Sequence, residues 1–220
     1  MKSSDYYKIL LVDDHVLLRD ALSPLIDNFD NCKVIGVANN GKEMIKKIET
    51  GVKPDIILLD LNMQEMDGYA SAEWLKKNYP QIKILVLTMY DSEVALIRLL
   101  QTGVRGFLKK DIHPKDLQAA ILAVAEEGYY YSNAITGKLA SFFYKNANGR
   151  SNFDKGFLSE REIEFLRFAS TDMTYKEIAG ELNISARAID GYRDALFEKL
   201  DVKSRVGLAI YAVKNGIVVF

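Results

Sequence analysis

Two patterns of apolar and polar positions divide the chain. Between Tyr7 and about Glu127, short apolar and often β-branched runs alternate with longer amphipathic stretches, as repeated βα units on a parallel sheet require. The runs at residues 8–12, 33–38, 55–59, 83–88 and 106–109 predict five strands. Each is apolar along nearly its whole length, so both faces of the sheet are expected to be covered by helices. The stretches 15–28, 42–50, 69–78, 93–101 and 114–127 supply them, with Pro54, Pro80 and Pro114 at element boundaries, where a missing N–H does least harm. The expected fold of residues 1–128 is α/β, a (βα)5 doubly wound parallel sheet.

Beyond Gly128 the strand pattern stops. Residues 134–144 read as a short helix and 145–156, rich in Asn, Gly, Ser and Lys, as a linker, so 129–156 is expected to connect two domains. From residue 157 to 220 every segment is helical in period: 159–169, 174–182, 185–200 and 203–214. A small all-α four-helix domain follows. A chain of 220 residues suits two such modest cores.

Composition narrows the function classes. With 49% hydrophobic and 27% charged residues the chain is neither disordered nor fibrous. Its longest apolar runs fall far short of the ~18 residues of a membrane span, and the N-terminus lacks a signal segment, so a cytoplasmic protein without a membrane partner is expected. Cys32 is the one cysteine, and His15 and His113 are the only histidines, which excludes an internal disulfide and a closed Cys/His zinc site. A net charge of −1 gives no global signal for nucleic acid.

In an open α/β sheet the functional crevice lies at the carboxyl ends of the strands. There the first strand ends in Asp13 and Asp14, the third in Asp60 and the fourth in Thr88, while Lys110 follows the fifth. Three converging carboxylates repel unless a hard divalent cation such as Mg²⁺ is held among them. A carboxylate beside such an ion can act as a nucleophile toward phosphorus, with Thr88 and Lys110 as donors to the new phosphoryl oxygens. Taken singly, each of these residues is a turn former, a strand-end hydroxyl or a surface amine. Their joint placement favours the site. His15 and His113 are read as surface or helix-capping side chains.

With Asp13-Asp14, the run Asp60-Leu61-Asn62-Met63-Gln64-Glu65-Met66-Asp67-Gly68, Leu87-Thr88 and Gly106-Phe107-Leu108-Lys109-Lys110, residues 7–127 resemble the receiver domain of two-component response regulators. The resemblance implies that Asp60 accepts phosphate from a sensor histidine kinase. It implies that Asp13, Asp14, Asp60 and the Asn62 carbonyl hold Mg²⁺, and that Thr88 and Phe107 form a switch pair beside Lys110. Gln64 stands where members of the family very often carry proline, which predicts a looser loop after Asp60. A dehalogenase-type phosphatase also uses a strand-end Asp but needs a second Asp two residues later, where this chain has Asn62. No enzyme is therefore expected beyond slow self-phosphorylation and dephosphorylation of the aspartate.

In the C-terminal part, a helix at 174–182, a break at Asn183-Ile184 and a second helix from Ser185 predict a helix-turn-helix. The stretches Leu158-Ser159-Glu160-Arg161-Glu162, Lys176-Glu177-Ile178-Ala179, Leu196-Phe197-Glu198-Lys199-Leu200 and Lys203-Ser204-Arg205 resemble the LuxR/FixJ-type DNA-binding domain. The resemblance implies a recognition helix over 185–200 and a homodimer on promoter DNA, with RNA polymerase a further candidate partner. The DNA-facing set is then Arg187, Asp190, Gly191, Tyr192 and Arg193, and the phosphate contacts are Lys176, Lys199, Lys203 and Arg205. Ten Lys or Arg against eleven Asp or Glu over 151–220 predict modest, salt-sensitive affinity. The other reading is a phosphate-independent regulator whose receiver docks partner proteins.

Overall fold

The computed structural model describes residues 6–89, 96, 99–100, 102–132, 135–137 and 158–218, which form two compact units. The first holds five strands, β1 (Tyr7–Val12), β2 (Cys32–Ala38), β3 (Ile56–Asp60), β4 (Lys83–Thr88) and β5 (Gly106–Lys109). They pair in parallel in the order β2-β1-β3-β4-β5. Helices α1 (Val16–Asp27), α2 (Gly41–Glu49), α3 (Gly68–Asn78) and α4 (Pro114–Glu126) connect or follow them. Ile9, Leu11, Ile56, Leu58, Leu85 and Leu87 form one core cluster with Ile26 of α1 and Leu117 and Ile121 of α4. Leu10, Val12, Ile57 and Leu59, which alternate with them, are fully buried as well. Burial on both faces is what the unbroken apolar runs require.

The expected α/β and all-α architecture is the observed one. Asp60 closes β3 within the ladder, opposite Leu87, whereas Asp55 falls outside the strand. Its carboxylate instead accepts from the Lys8 amide at 2.8 Å. Of the helix expected at 93–101 only Leu96, Leu99 and Leu100 are described, all in helical backbone, and the rest lies outside the described residues. The linker boundary needs a correction. Tyr130 bridges Gly106 in parallel and its amide donates to the Arg105 carbonyl at 2.9 Å, so the chain after α4 adds to the sheet edge beside β5. The first unit accordingly reaches residue 137. The expected helix at 134–144 and linker at 145–156 lie outside the described residues except for helical backbone at 135–137.

The second unit contains α5 (Glu160–Ala169), α6 (Tyr175–Glu181), α7 (Ala186–Lys199) and α8 (Arg205–Lys214). Capping boxes start α5 (Ser159 with Glu162) and α6 (Thr174 with Glu177), while the Ser185 and Ser204 hydroxyls cap α7 and α8. Between α6 and α7 the chain turns on Asn183 at φ 53°, and the Ile184 amide returns to the Ala179 carbonyl at 2.9 Å. Asn tolerates this left-handed backbone, which ends α6 without a glycine. Phe165, Leu166, Ile178, Ile189, Leu196 and Leu208 make the core, with Phe165 stacked on Tyr175 and Tyr192.

Candidate functional site

The strand order reverses direction between β1 and β3, which opens a crevice at their carboxyl ends. Asp13, Asp14 and Asp60 come together there. Asp13 and Asp60 are buried, with side chains only 7% and 1% exposed, and the Lys110 ammonium lies 3.0 Å from an oxygen of each. Asp13 Oδ2 and Asp60 Oδ2 are buried with the Lys110 ammonium as their one close partner among the described residues, and Asp14 Oδ1 is buried with only the His15 ring near it. One ammonium thus faces more buried negative charge than it can neutralise. Burial first, and then the neighbouring Asp13 charge, push the Asp60 carboxyl up to about 6 against the pull of Lys110 and the Leu61 amide.

The sequence positions each of these groups. The turn after β1 is tied by the His15 amide donating to Asp13 Oδ1 at 2.9 Å and by the Asp13 amide donating to the Ala38 carbonyl. Arg19, buried on α1, donates to the Asp13 carbonyl at 2.9 Å and to Asn39. Asp60 Oδ1 accepts from the Leu61 amide at 2.8 Å, leaving Oδ2 toward Lys110. The loop bearing Asn62 and Gln64 is held at both ends, by Gly68 N to Leu61 O and Gly41 N to Met66 O, so the missing proline leaves it anchored. Asn62 sits half-buried two residues beyond Asp60. Thr88 ends β4 and is buried, and Phe107 is buried on β5 with its ring 5.5 Å from that of Tyr131.

Two residues of this site went unrecognised as such. His15 was expected to be a surface or capping group, yet its ring makes no cap bond and Nδ1 stands 3.1, 3.0 and 4.0 Å from oxygens of Asp13, Asp14 and Asp60. Arg19 was not singled out. Its signal was a charge on the apolar face of an amphipathic helix. His113 does cap, its Nδ1 accepting from the Lys115 amide at 3.3 Å.

In the helical unit the structure divides the nominated basic residues. Lys176, Arg187 and Lys203 are exposed and make no ion pair among the described residues, and Asp190 and Gly191 are exposed beside them in chain order. The others have internal work. Tyr192 packs its ring on Phe165, and Arg193 is ion-paired with Asp190 and Asp194 at 2.9 Å. Arg205 donates to the Ala169 and Thr171 carbonyls and covers the Tyr175 ring, tying α8 to the end of α5. Lys199 donates to both oxygens of Glu162 at 2.9 Å, each side chain 15% exposed. Lys199 and Arg205, nominated as phosphate contacts, and Tyr192, nominated as DNA-facing, therefore also help to hold the domain together.

Burial works to raise Glu162, but the Lys199 ammonium and the Ser159 bonds outweigh it and hold the carboxyl below its usual range. A depressed carboxylate contributes stability above its unfolded pKa and loses it as pH falls. Lys199→Ala is expected to cost about 1–3 kcal/mol at pH 7. The gap to wild type should start to narrow as pH falls below about 4 and go on narrowing on further acidification, which thermal unfolding across that range measures.

Comparison with known proteins follows the same two units. The family description "Response regulator receiver domain" matches residues 9–122, and "Bacterial regulatory proteins, luxR family" matches residues 157–212. The chain is 32% identical over 211 residues to the response regulator GacA of Pseudomonas syringae pv. syringae (strain B728a), covering 96% of this chain and 97% of that protein. It is 31% identical over 217 residues to the oxygen regulatory protein NreC of Staphylococcus aureus (strain MRSA252), covering 97% and 100%. Among solved structures, RcsB from Salmonella enterica serovar Typhimurium, bound to promoter rprA in the presence of the phosphomimetic BeF3−, aligns with a TM-score of 0.69 at 22% identity, covering 94% of this chain and 98% of that one.

Proposed function

The chain belongs to the two-component response regulators of the NarL/FixJ type, with a receiver domain followed by a LuxR-type DNA-binding domain, and on that premise we propose that it is a promoter-binding transcription factor switched by phosphorylation of Asp60. The observation that carries this reading is the Asp60 carboxylate, buried at the switch point between Asp13 and Lys110.

Three clustered carboxylates that share a single ammonium are hard oxygen donors with negative charge in excess, and they fit Mg²⁺. Asp13, Asp14, Asp60 and the Asn62 carbonyl would hold it, and when bound it supplies positive charge beside the incoming phosphoryl group. Asp60 Oδ2 attacks phosphorus, the P–N bond of a histidine kinase's phosphohistidine breaks, and a P–O bond to Asp60 forms. Lys110, already 3.0 Å from Asp60 Oδ2, passes from carboxylate to phosphoryl oxygen, and the Thr88 hydroxyl donates to another. That recruitment biases the Thr88 and Phe107 pair, and through it a pre-existing equilibrium toward a homodimer on DNA. Self-phosphorylation and dephosphorylation are the only chemistry this reading assigns to the chain. No helix among the described residues is long and apolar enough to cross a membrane.

The basic groups left free, Lys176, Arg187 and Lys203, set the expected strength of DNA binding. Three phosphate contacts per protomer give a slope of log K on log salt near −3 per protomer. Selection from a random duplex library by the acetyl-phosphate-treated protein, followed by salt titration of the selected duplex, tests this. Asp60→Asn should keep the fold and lose the phosphate-stimulated component. Equal DNA affinity for Asp60→Asn and the phosphorylated wild type would refute the switch.

A further inference from the structure

Building on the reading of the acidic pocket as a cation site, we propose that His15 is a ligand of that site and tilts its selectivity from Mg²⁺ toward borderline transition-metal cations. The imidazole is placed among the carboxylates. One donor atom each from Asp13, Asp14, His15 and Asp60 lies within 4.8 Å of all the others, a spread that metal–ligand bonds of about 2.0–2.3 Å can nearly span from one centre. Small shifts of the half-exposed members close the rest.

The setting is built for a cation. Asp13 and Asp60 are nine-tenths or more buried, their Oδ2 atoms share the single Lys110 ammonium, and Asp14 Oδ1 is buried with only the His15 ring near it. Nδ1 carries at most one proton, which Asp13 Oδ1 at 3.1 Å and Asp14 Oδ1 at 3.0 Å could only share. A metal in place of that proton faces the carboxylates with the ring nitrogen as a neutral donor. Because the His15 amide is bonded to Asp13 Oδ1 and Arg19 holds the Asp13 carbonyl, the ring hangs from a tied turn. Its 63% exposure leaves a path for a hydrated ion. Lys110 is the competing cation, 3.0 Å from Asp13 and Asp60, and it faces both metals alike.

Oxygen ligands alone serve Mg²⁺, which gains little from an imidazole, whereas Mn²⁺, Ni²⁺ and Zn²⁺ accept one readily. His15 should therefore contribute to transition-metal affinity and leave Mg²⁺ affinity nearly untouched. Calorimetric titration of the full chain with Mg²⁺ and separately with Ni²⁺ reads this directly, on wild type, His15→Gln and the control His113→Gln. His15→Gln should weaken Ni²⁺ binding about tenfold or more while Mg²⁺ binding stays within about twofold. Pulsed electron paramagnetic resonance of the Mn²⁺ complex should show a directly bound nitrogen in wild type and His113→Gln that is lost in His15→Gln. Equal changes for both metals, or no bound nitrogen in wild type, would overturn the assignment of His15. Failure of wild type to bind either metal would instead remove the cation site itself.

Discussion

Asp60→Asn is expected to unfold at a higher temperature than the wild type at pH 7.5 in the presence of a chelator. Without a metal ion, burial first and then the neighbouring Asp13 charge raise the Asp60 pKa from 3.8 to about 6, against the opposing pull of the Lys110 ammonium it shares with Asp13. Between those values the folded state binds a proton that the unfolded state has released, so stability falls as pH rises from about 4 to 6. Above pH 6 the full cost is present. Two pKa units correspond to about 3 kcal/mol as an upper bound, and the asparagine removes the charge at nearly constant volume. The advantage of the variant should shrink as pH drops through 6 and vanish near 4. Mg²⁺ should raise the wild type selectively, since binding to the folded state alone stabilises it. A variant less stable than wild type at pH 7.5 would mean that Lys110 more than compensates the buried charge. The buried Asp60 carboxylate is thus expected to lower stability in the metal-free state.

Gly68→Ala is expected to damage the loop after Asp60 without replacing any residue of the acidic pocket. A Cβ at Gly68 would lie 2.2 Å from the Asp60 carbonyl oxygen and 2.7 Å from the Leu61 Cα, both of them backbone atoms that no side-chain rotation can move. Gly68 opens α3 behind the Asp67 cap, and its amide donates to the Leu61 carbonyl at 2.9 Å. The start of α3 therefore rests directly on the strand end that carries Asp60. Overpacking of this kind costs about 3 kcal/mol or more, and the displacement falls on Asp60 and the loop to Asn62. Urea unfolding should show the loss, and phosphorylation by acetyl phosphate should slow even at temperatures where the variant remains folded. Gly51 offers the contrast, since no atom lies within 4 Å of a Cβ there.

How much of this was legible depended on whether a residue's role was written in its local pattern. Strands such as Ile56–Asp60 announce themselves because burial on both faces forces unbroken apolar runs, and the strand-end acids follow from the sheet's topology. His15 has no distinguishing local pattern, because a lone histidine at a helix start looks like a cap, and only the parallel pairing of β1 with β3 brings it to Asp60. Tyr130 fell in an apparent linker because a single bridge to Gly106 leaves no alternating pattern. Lys199 and Arg205 read as phosphate contacts because basic residues near a recognition helix usually are. Their partners Glu162, Ala169 and Thr171 lie more than thirty residues away in sequence, beyond the reach of any local pattern.

The exposed side of α7 carries Arg187 together with Asp190, Asp194 and Glu198, so this domain cannot rely on charge alone to find DNA. In the proposed mechanism, dimerisation would offset a modest single-domain affinity by making the second contact intramolecular. Phosphorylation of Asp60 has to control that step for the switch to matter. Intact-mass analysis of wild type and Asp60→Asn after incubation with acetyl phosphate, with and without Mg²⁺, tests the claim at its root. A single phosphoryl adduct that requires Mg²⁺ and is lost in Asp60→Asn is the predicted result, whereas a folded wild type that stays unmodified beside a working control regulator would contradict it.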